Sequence, residues 1–169
     1  PAGQASVTLA VTPFLDALAE PDETVIVSLT AGIYLIGANN AATVTIAANT
    51  PPTVTVVATV PNANEVGPVQ GEFTFTRTGP TTLPLAVNFA VTGTADQFVD
   101  YGGVGASITI PAGQASVTLA VTPFLDALTE PDETVIVTLA AGIYLIGAAD
   151  TATVTIAANT PQTEPWAAT

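Results

Sequence analysis

Residues 93–139 read "GTADQFVDYGGVGASITIPAGQASVTLAVTPFLDALTEPDETVIVTL", and this stretch decides the fold. Within it, "ASVTLAVT" (115–122) sets Val117, Leu119 and Val121 on one face and Ser116, Thr118 and Thr122 on the other. That is period two, the alternation of a half-buried strand. "ETVIVTL" (133–139) is mostly β-branched. Between the two lies "PFLDALTEPDE", an acidic loop with no strand or helix pattern.

The same pattern extends outward. "LAVNFAVTG" places Leu85, Val87, Phe89 and Val91 on one face, and "GEFTFTRTG" alternates Phe73 and Phe75 with Thr74 and Thr76. "TATVTI" sets Val154 and Ile156 against Thr151, Thr153 and Thr155, and "TVTVVATV" is again β-branched. The breaks "PNANEVG", "TGPTTLP", "DYGGVG", "PAGQ" and "GAAD" are made of turn residues. About seven short strands without a helical stretch predict an all-β fold, an antiparallel β-sandwich.

Residues 1–51 align with 111–161 without a gap and differ at six positions, Ala19/Thr129, Ser28/Thr138, Thr30/Ala140, Asn39/Ala149, Asn40/Asp150 and Ala41/Thr151. The period is 110 residues, the size of a domain. The expected organisation is therefore the C-terminal half of one repeat (1–50), a complete repeat (51–160), and a linker or first strand of a further repeat (161–169). On this reading residues 1–27 are a turn, a strand, an acidic loop and the start of the next strand. Pro and Thr at "NTPPT" and "NTPQTEP" favour stiff junctions.

Composition removes much chemistry. The 169 residues include no His, Cys or Met, and Arg77 is the only Lys or Arg. Thiolate, imidazole and Schiff-base catalysis are thereby excluded. A formal net charge of -13 argues against nucleic acid as a partner. Apolar runs are far shorter than the ~20 residues of a membrane helix. Carboxylate pairs could serve a glycosidase, but nothing sets two across a cleft; the expectation is no enzyme. Arg77 is expected to make a structural ion pair, and Trp166 to anchor an interface or a following core. The strand faces carry Thr, Ala and Ser where charge is usual, and only 9% of residues are charged. Such a surface invites association or a cover of sugar. No N-linked acceptor motif occurs; Thr50, Thr53, Thr160 and Thr163, beside prolines, are candidate O-glycosylation positions.

Taken together, Gly93-Thr94-Ala95, Asp100-Tyr101, Pro111-Ala112-Gly113-Gln114, Asp126, Glu130 and Glu133-Thr134, with Glu65 and "FTFTRTG" upstream, resemble the Calx-beta domain family. The resemblance covers nearly all of 53–157, and again 1–47. It implies an immunoglobulin-like sandwich that often binds calcium at one end. The ligands it implies here are Glu65, Asp100, Asp126 and Glu130. Leu125-Asp126 stands where the family often has paired Asp, and Ala157-Ala158-Asn159 where it often has an acidic run. A single ion is therefore expected rather than a multi-ion cluster, with no cofactor required. The alternative from the residues themselves is that the acidic loop only solvates a turn, with Asp126 bonding nearby amides.

Two functions follow as expectations. One is a structural module of an extracellular or cell-surface tandem-repeat protein, forming a fibre, stalk or adhesive scaffold with copies of itself, by repeated sandwich contacts or strand addition. The other is a calcium-binding adhesion module stiffened by the ion, with glycans among its possible partners.

Overall fold

The computed structural model describes residues 3–67, 69–126 and 129–158. Thr160, Thr163, Trp166 and the stretch 161–169 lie outside the described residues. The chain divides into two compact units, Pro1–Pro51 and Pro52–Thr169.

The second unit holds two sheets. One orders β10 (Leu145–Ile146), β3 (Thr53–Val60), β5 (Gly71–Thr78) and β8 (Ser116–Val121). The other orders β4 (Asn62–Asn64), β11 (Thr151–Ala157), β9 (Glu133–Leu139), β6 (Leu85–Gly93) and β7 (Ser107–Ile110). Every strand read from alternation is present. Two short ones, β4 and β10, fall where turn residues or no pattern stood. They pair in parallel, β10 with β3 and β4 with β11, so the sandwich is antiparallel except at these two edges. Residues 145–157 thus run alongside 53–64 in the same direction, and Ala157 lies beside Asn64. Entry at Thr53 and exit at Ala157 are at opposite ends of the sandwich.

The inward faces interdigitate. Val54, Val56, Phe73, Phe75, Val87, Ile110, Val121, Val135, Val137, Val154 and Ile156 are all at most 1% exposed. The Phe75 and Phe89 rings meet across the sheets with centroids 5.2 Å apart. Gly71 is required by this packing, since a Cβ there would stand 2.4 Å from Val154 Cγ1.

Arg77 departs from the expected ion pair. Its guanidinium is buried and donates to four carbonyls, from Nε to Gln114 (3.0 Å), from Nη1 to Leu83 (2.8 Å), and from Nη2 to Thr81 and Pro111 (both 3.1 Å). The planar fork of donors matches a ring of loop carbonyls, two of which, Thr81 and Pro111, also accept from the Gly113 and Gln114 amides. Among the described residues the charge thus closes the loops at the end of β5 and makes no ion pair with an acid.

In the first unit, β1 (Glu23–Ser28) and β2 (Ala41–Ile46) form an antiparallel hairpin, Glu23 opposite Ile46 through Ser28 opposite Ala41. The expected strand over residues 5–12 is absent. Its sequence is that of β8 and its flanks, and β8 pairs along β5. No counterpart of β5 occurs among the described residues of this unit, and an unpartnered strand forfeits the ladder that holds it.

Candidate metal centre

Three segments meet at the Asn64 end of the second unit. The first is the turn after β4. Asn64 Oδ1 accepts from the Val66 amide (2.7 Å) and Asn64 bridges Val69. This closure turns Glu65 inward, where it is 2% exposed.

The second is the loop after β6. Gly93 adopts φ +135°, and a Cβ there would stand 2.0 Å from the Thr134 carbonyl oxygen, so only glycine lets the chain pass. Thr94 and Ala95 then donate their amides to that oxygen (3.0 and 3.1 Å), and Thr134 donates its amide to Thr94 Oγ1 (2.9 Å). The Gly-Thr-Ala and Glu-Thr motifs are therefore two halves of one clamp. Beyond it, the Asp96 amide donates to Asp100 Oδ2 and the Asp100 amide donates to the Asp96 carbonyl (2.9 Å). Phe98 sits at φ +69° in this turn.

The third is the acidic loop between β8 and β9. Tyr101 bridges Pro123, Gly102 donates to Thr122 (3.0 Å), and Phe124 donates to the Asp100 carbonyl (2.8 Å). These bonds fasten the start of the loop to Asp100. Asp132 fastens its end, accepting from the Ala158 amide (2.7 Å).

The result is a concentration of carboxylates. Single oxygens of Glu65, Asp126 and Glu130 all lie within 4.8 Å of one another. Asp100 is buried, though it is outside this closest triplet. Glu133 joins it by a side-chain hydrogen bond, and its carboxyl is pushed up to about 7. Desolvation is the first cause, then the charge of Asp100, that hydrogen bond, and the charges of Glu130 and Glu65. Glu133 Oε2 is buried with no hydrogen-bond partner. Glu130 is raised as well, first by desolvation and then by Asp126 and Asp100. Tyr101, buried beneath, is raised by desolvation and by Asp100 and Asp96.

The resemblance thus named four residues that the fold brings to one end of the sandwich. It carried Glu133 as a motif residue but did not name it among the ligands, although the signal was present. Glu133 is in phase with Val135, Val137 and Leu139, so alternation along β9 already pointed it to the core side. Two of the glycosylation candidates, Thr50 and Thr53, are among the described residues. Thr50 is exposed, and Thr53 is half-buried in β3 between β5 and β10.

The donor set suits a hard cation. All ligands are oxygens, the cluster is anionic, and the one cationic side chain is spent on carbonyls elsewhere. A buried carboxylate oxygen without a partner is the kind of atom a cation satisfies.

No protein-family model matches the sequence, and no curated protein matches it. Solved structures match by fold. The apo-form CBD1 domain of Calx superposes with a TM-score of 0.52 at 18% identity, covering 64% of this chain and 97% of that domain. CBD12 from CALX1.2 and the calcium binding domain CBD12 of CALX1.1 each superpose with a TM-score of 0.50 at 20% identity. Both alignments cover 60% of this chain and 43% of the other, so the chain spans less than half the length of these two. The second unit has the Calx-beta fold, an immunoglobulin-like β-sandwich.

Proposed function

We propose that this chain is a non-enzymatic calcium-binding β-sandwich module. The observation that carries the reading is the approach of Glu65, Asp126 and Glu130 within 4.8 Å at the end where the repeat exits. The solved structure of similar fold described as a calcium binding domain supports it. Glu65, Asp126 and Glu130 would hold the ion, with Asp100 and Glu133 completing the acidic wall. A bound cation offsets the repulsion among these carboxylates and so ties the three segments together. Asp126 is exposed and Glu130 half-exposed, which favours the weaker range of calcium sites, about 10⁻⁴–10⁻³ M.

Calorimetric titration at millimolar calcium tests this. The expected result is saturable binding of one ion and a rise in thermal stability, about 1.4 kcal/mol at tenfold excess over Kd. Both should vanish in Asp126→Ala and Glu130→Ala. No heat and no thermal shift would overturn the reading.

A second reading concerns the whole protein: an extracellular tandem-repeat scaffold, a fibre, stalk or adhesin, built by repeated contacts between copies or by strand addition. It is favoured by the placing of Thr53 and Ala157 at opposite ends of the sandwich, which lets successive repeats continue without doubling back. Negative-stain imaging at high concentration, with and without calcium, checks it; only monodisperse single chains would count against it.

A further inference from the structure

We infer that the loops around the candidate metal centre are a calcium-dependent docking surface for an anionic phospholipid membrane, with Phe98 and Leu125 entering the bilayer. This deepens the calcium reading and rests on it.

The carboxylates are rimmed by apolar side chains. In each of the three segments an acidic residue of the site has an exposed apolar neighbour in the chain. Val66 follows Glu65, Val99 precedes Asp100 and Leu125 precedes Asp126. Val66, Val99 and Leu125 are 55%, 57% and 64% exposed, and Phe98 and Phe124 are 74% and 42% exposed. The two rings belong to one patch. A Cβ on Gly103 would stand 2.5 Å from Phe98 Cε1, and one on Gly102 would stand 3.9 Å from Phe124 Cζ. Both rings therefore lie along the Gly102–Gly103 backbone. The Phe98 amide donates to the Tyr101 carbonyl and the Phe124 amide to the Asp100 carbonyl, both at 2.8 Å, which fastens the rings beside the site. Exposed apolar side chains gathered at one functional end mark an interaction surface.

Folding does not account for Phe98. Its ring is mostly in water, yet its backbone sits at φ +69°, which a bulky L residue adopts only at a cost. Asparagine would be at ease there. Strain of this kind persists where a side chain meets a ligand.

Charge selects the occupant. The end of the sandwich carries Glu65, Asp96, Asp100, Asp126, Glu130 and Glu133, and the chain's one basic side chain, Arg77, is engaged with carbonyls elsewhere. Without calcium this surface repels an anionic membrane, and it repels a second copy of itself. Calcium takes about six to eight oxygens. The closest triplet offers three carboxylates, and Asp126 among them is exposed, so headgroup phosphate and carboxylate oxygens have access to the ion. The cation then joins two anionic partners while the rim enters the interfacial region, where apolar burial and electrostatics act together. A basic peptide would be drawn to the same surface without calcium and displaced by it.

Flotation of the full chain with vesicles tests this. The vesicles are equal parts phosphatidylcholine and phosphatidylserine, or phosphatidylcholine alone, in millimolar calcium or in EGTA. The expected result is binding to the mixed vesicles in calcium only. Phe98→Asn and Leu125→Ser should each weaken it by about tenfold, the worth of one large buried apolar side chain. Calorimetric calcium binding without vesicles should be unchanged in both variants. Calcium heat without flotation overturns the inference and leaves the calcium reading standing; no heat and no flotation overturns both. Flotation in EGTA, equal flotation with phosphatidylcholine alone, or flotation that survives both variants also overturns it. Binding of poly-lysine in EGTA, lost in calcium, with no flotation in either, would make the surface a protein-docking site instead.

Discussion

Residues 4–47 and 114–157 are nearly the same text in two surroundings, and they do not fold alike. The hairpin is common to both. Glu23–Ser28 pairs with Ala41–Ile46 as Glu133–Leu139 pairs with Thr151–Ala157. Local bonds repeat as well. Asp22 accepts from the Ala48 amide as Asp132 does from Ala158, both at 2.7 Å. Tyr34 donates to the Thr30 carbonyl as Tyr144 does to Ala140, both at 2.6 Å. What differs is everything that needs the other half. Tyr144 Oη also bonds the Asn88 backbone, accepting from its amide (3.0 Å) and donating to its carbonyl (3.2 Å); Tyr34 is 53% exposed. The strand over 116–121 has no equivalent at 6–11. Pairings close in sequence survive alone, because little loop entropy opposes them. A strand whose only neighbour comes from another half does not.

Three experiments press on this difference. The largest effect is expected at Arg77, which belongs to the second unit alone. Arg77→Met removes the donor from four carbonyls at once and should cost about 3–5 kcal/mol in urea unfolding of that unit. Survival of the β1–β2 hairpin amide protection in the same variant would show the two units to be energetically separate.

Next is the matched pair Leu139→Ala and Leu29→Ala. The first empties a core position and should cost about 3 kcal/mol. The second alters a half-exposed face and should stay within about 0.5 kcal/mol. Equal losses would mean that the first unit is already covered in solution, and would erase the contrast between the copies.

The smallest effect is a pH slope. Glu133 is held near 7 in the folded state, above the ordinary 4.5 of a glutamate, so folding takes up a proton between these values. The contribution is full below about 4.5 and is lost as pH rises through 7. Metal-free protein should therefore lose thermal stability across this window. Glu133→Gln should flatten the slope, and solvent screening at the sandwich end keeps it shallow. Stability that rises across the window would contradict the assigned shift.

Much of the candidate centre was legible in the sequence. Asp100, Asp126 and Glu130 were marked by the resemblance to the Calx-beta family, which implies them as ligands. Glu65 was marked the same way, but its near-complete burial was not, because burial of a turn residue depends on what closes over it. Glu133 was written in the phase of β9 and could have been read there. The role of Arg77 was not legible. A lone cation in an acidic chain suggests an acid as partner, and only the folded loops place four carbonyls around it instead.

By itself, the sequence determined the strand periodicity, the repeat of 110 residues, the hairpin common to both copies and the residue types of the acidic loops. Those are properties of near neighbours, and near neighbours are present whatever the rest of the chain does. Tertiary structure alone decided whether "ASVTLAVT" becomes a strand, whether Val27 or Val137 is wet or dry, and whether carboxylates from three distant segments share one site. Each of these depends on groups far away in sequence, brought together only when a complete core offsets the entropy of closing the loops between them.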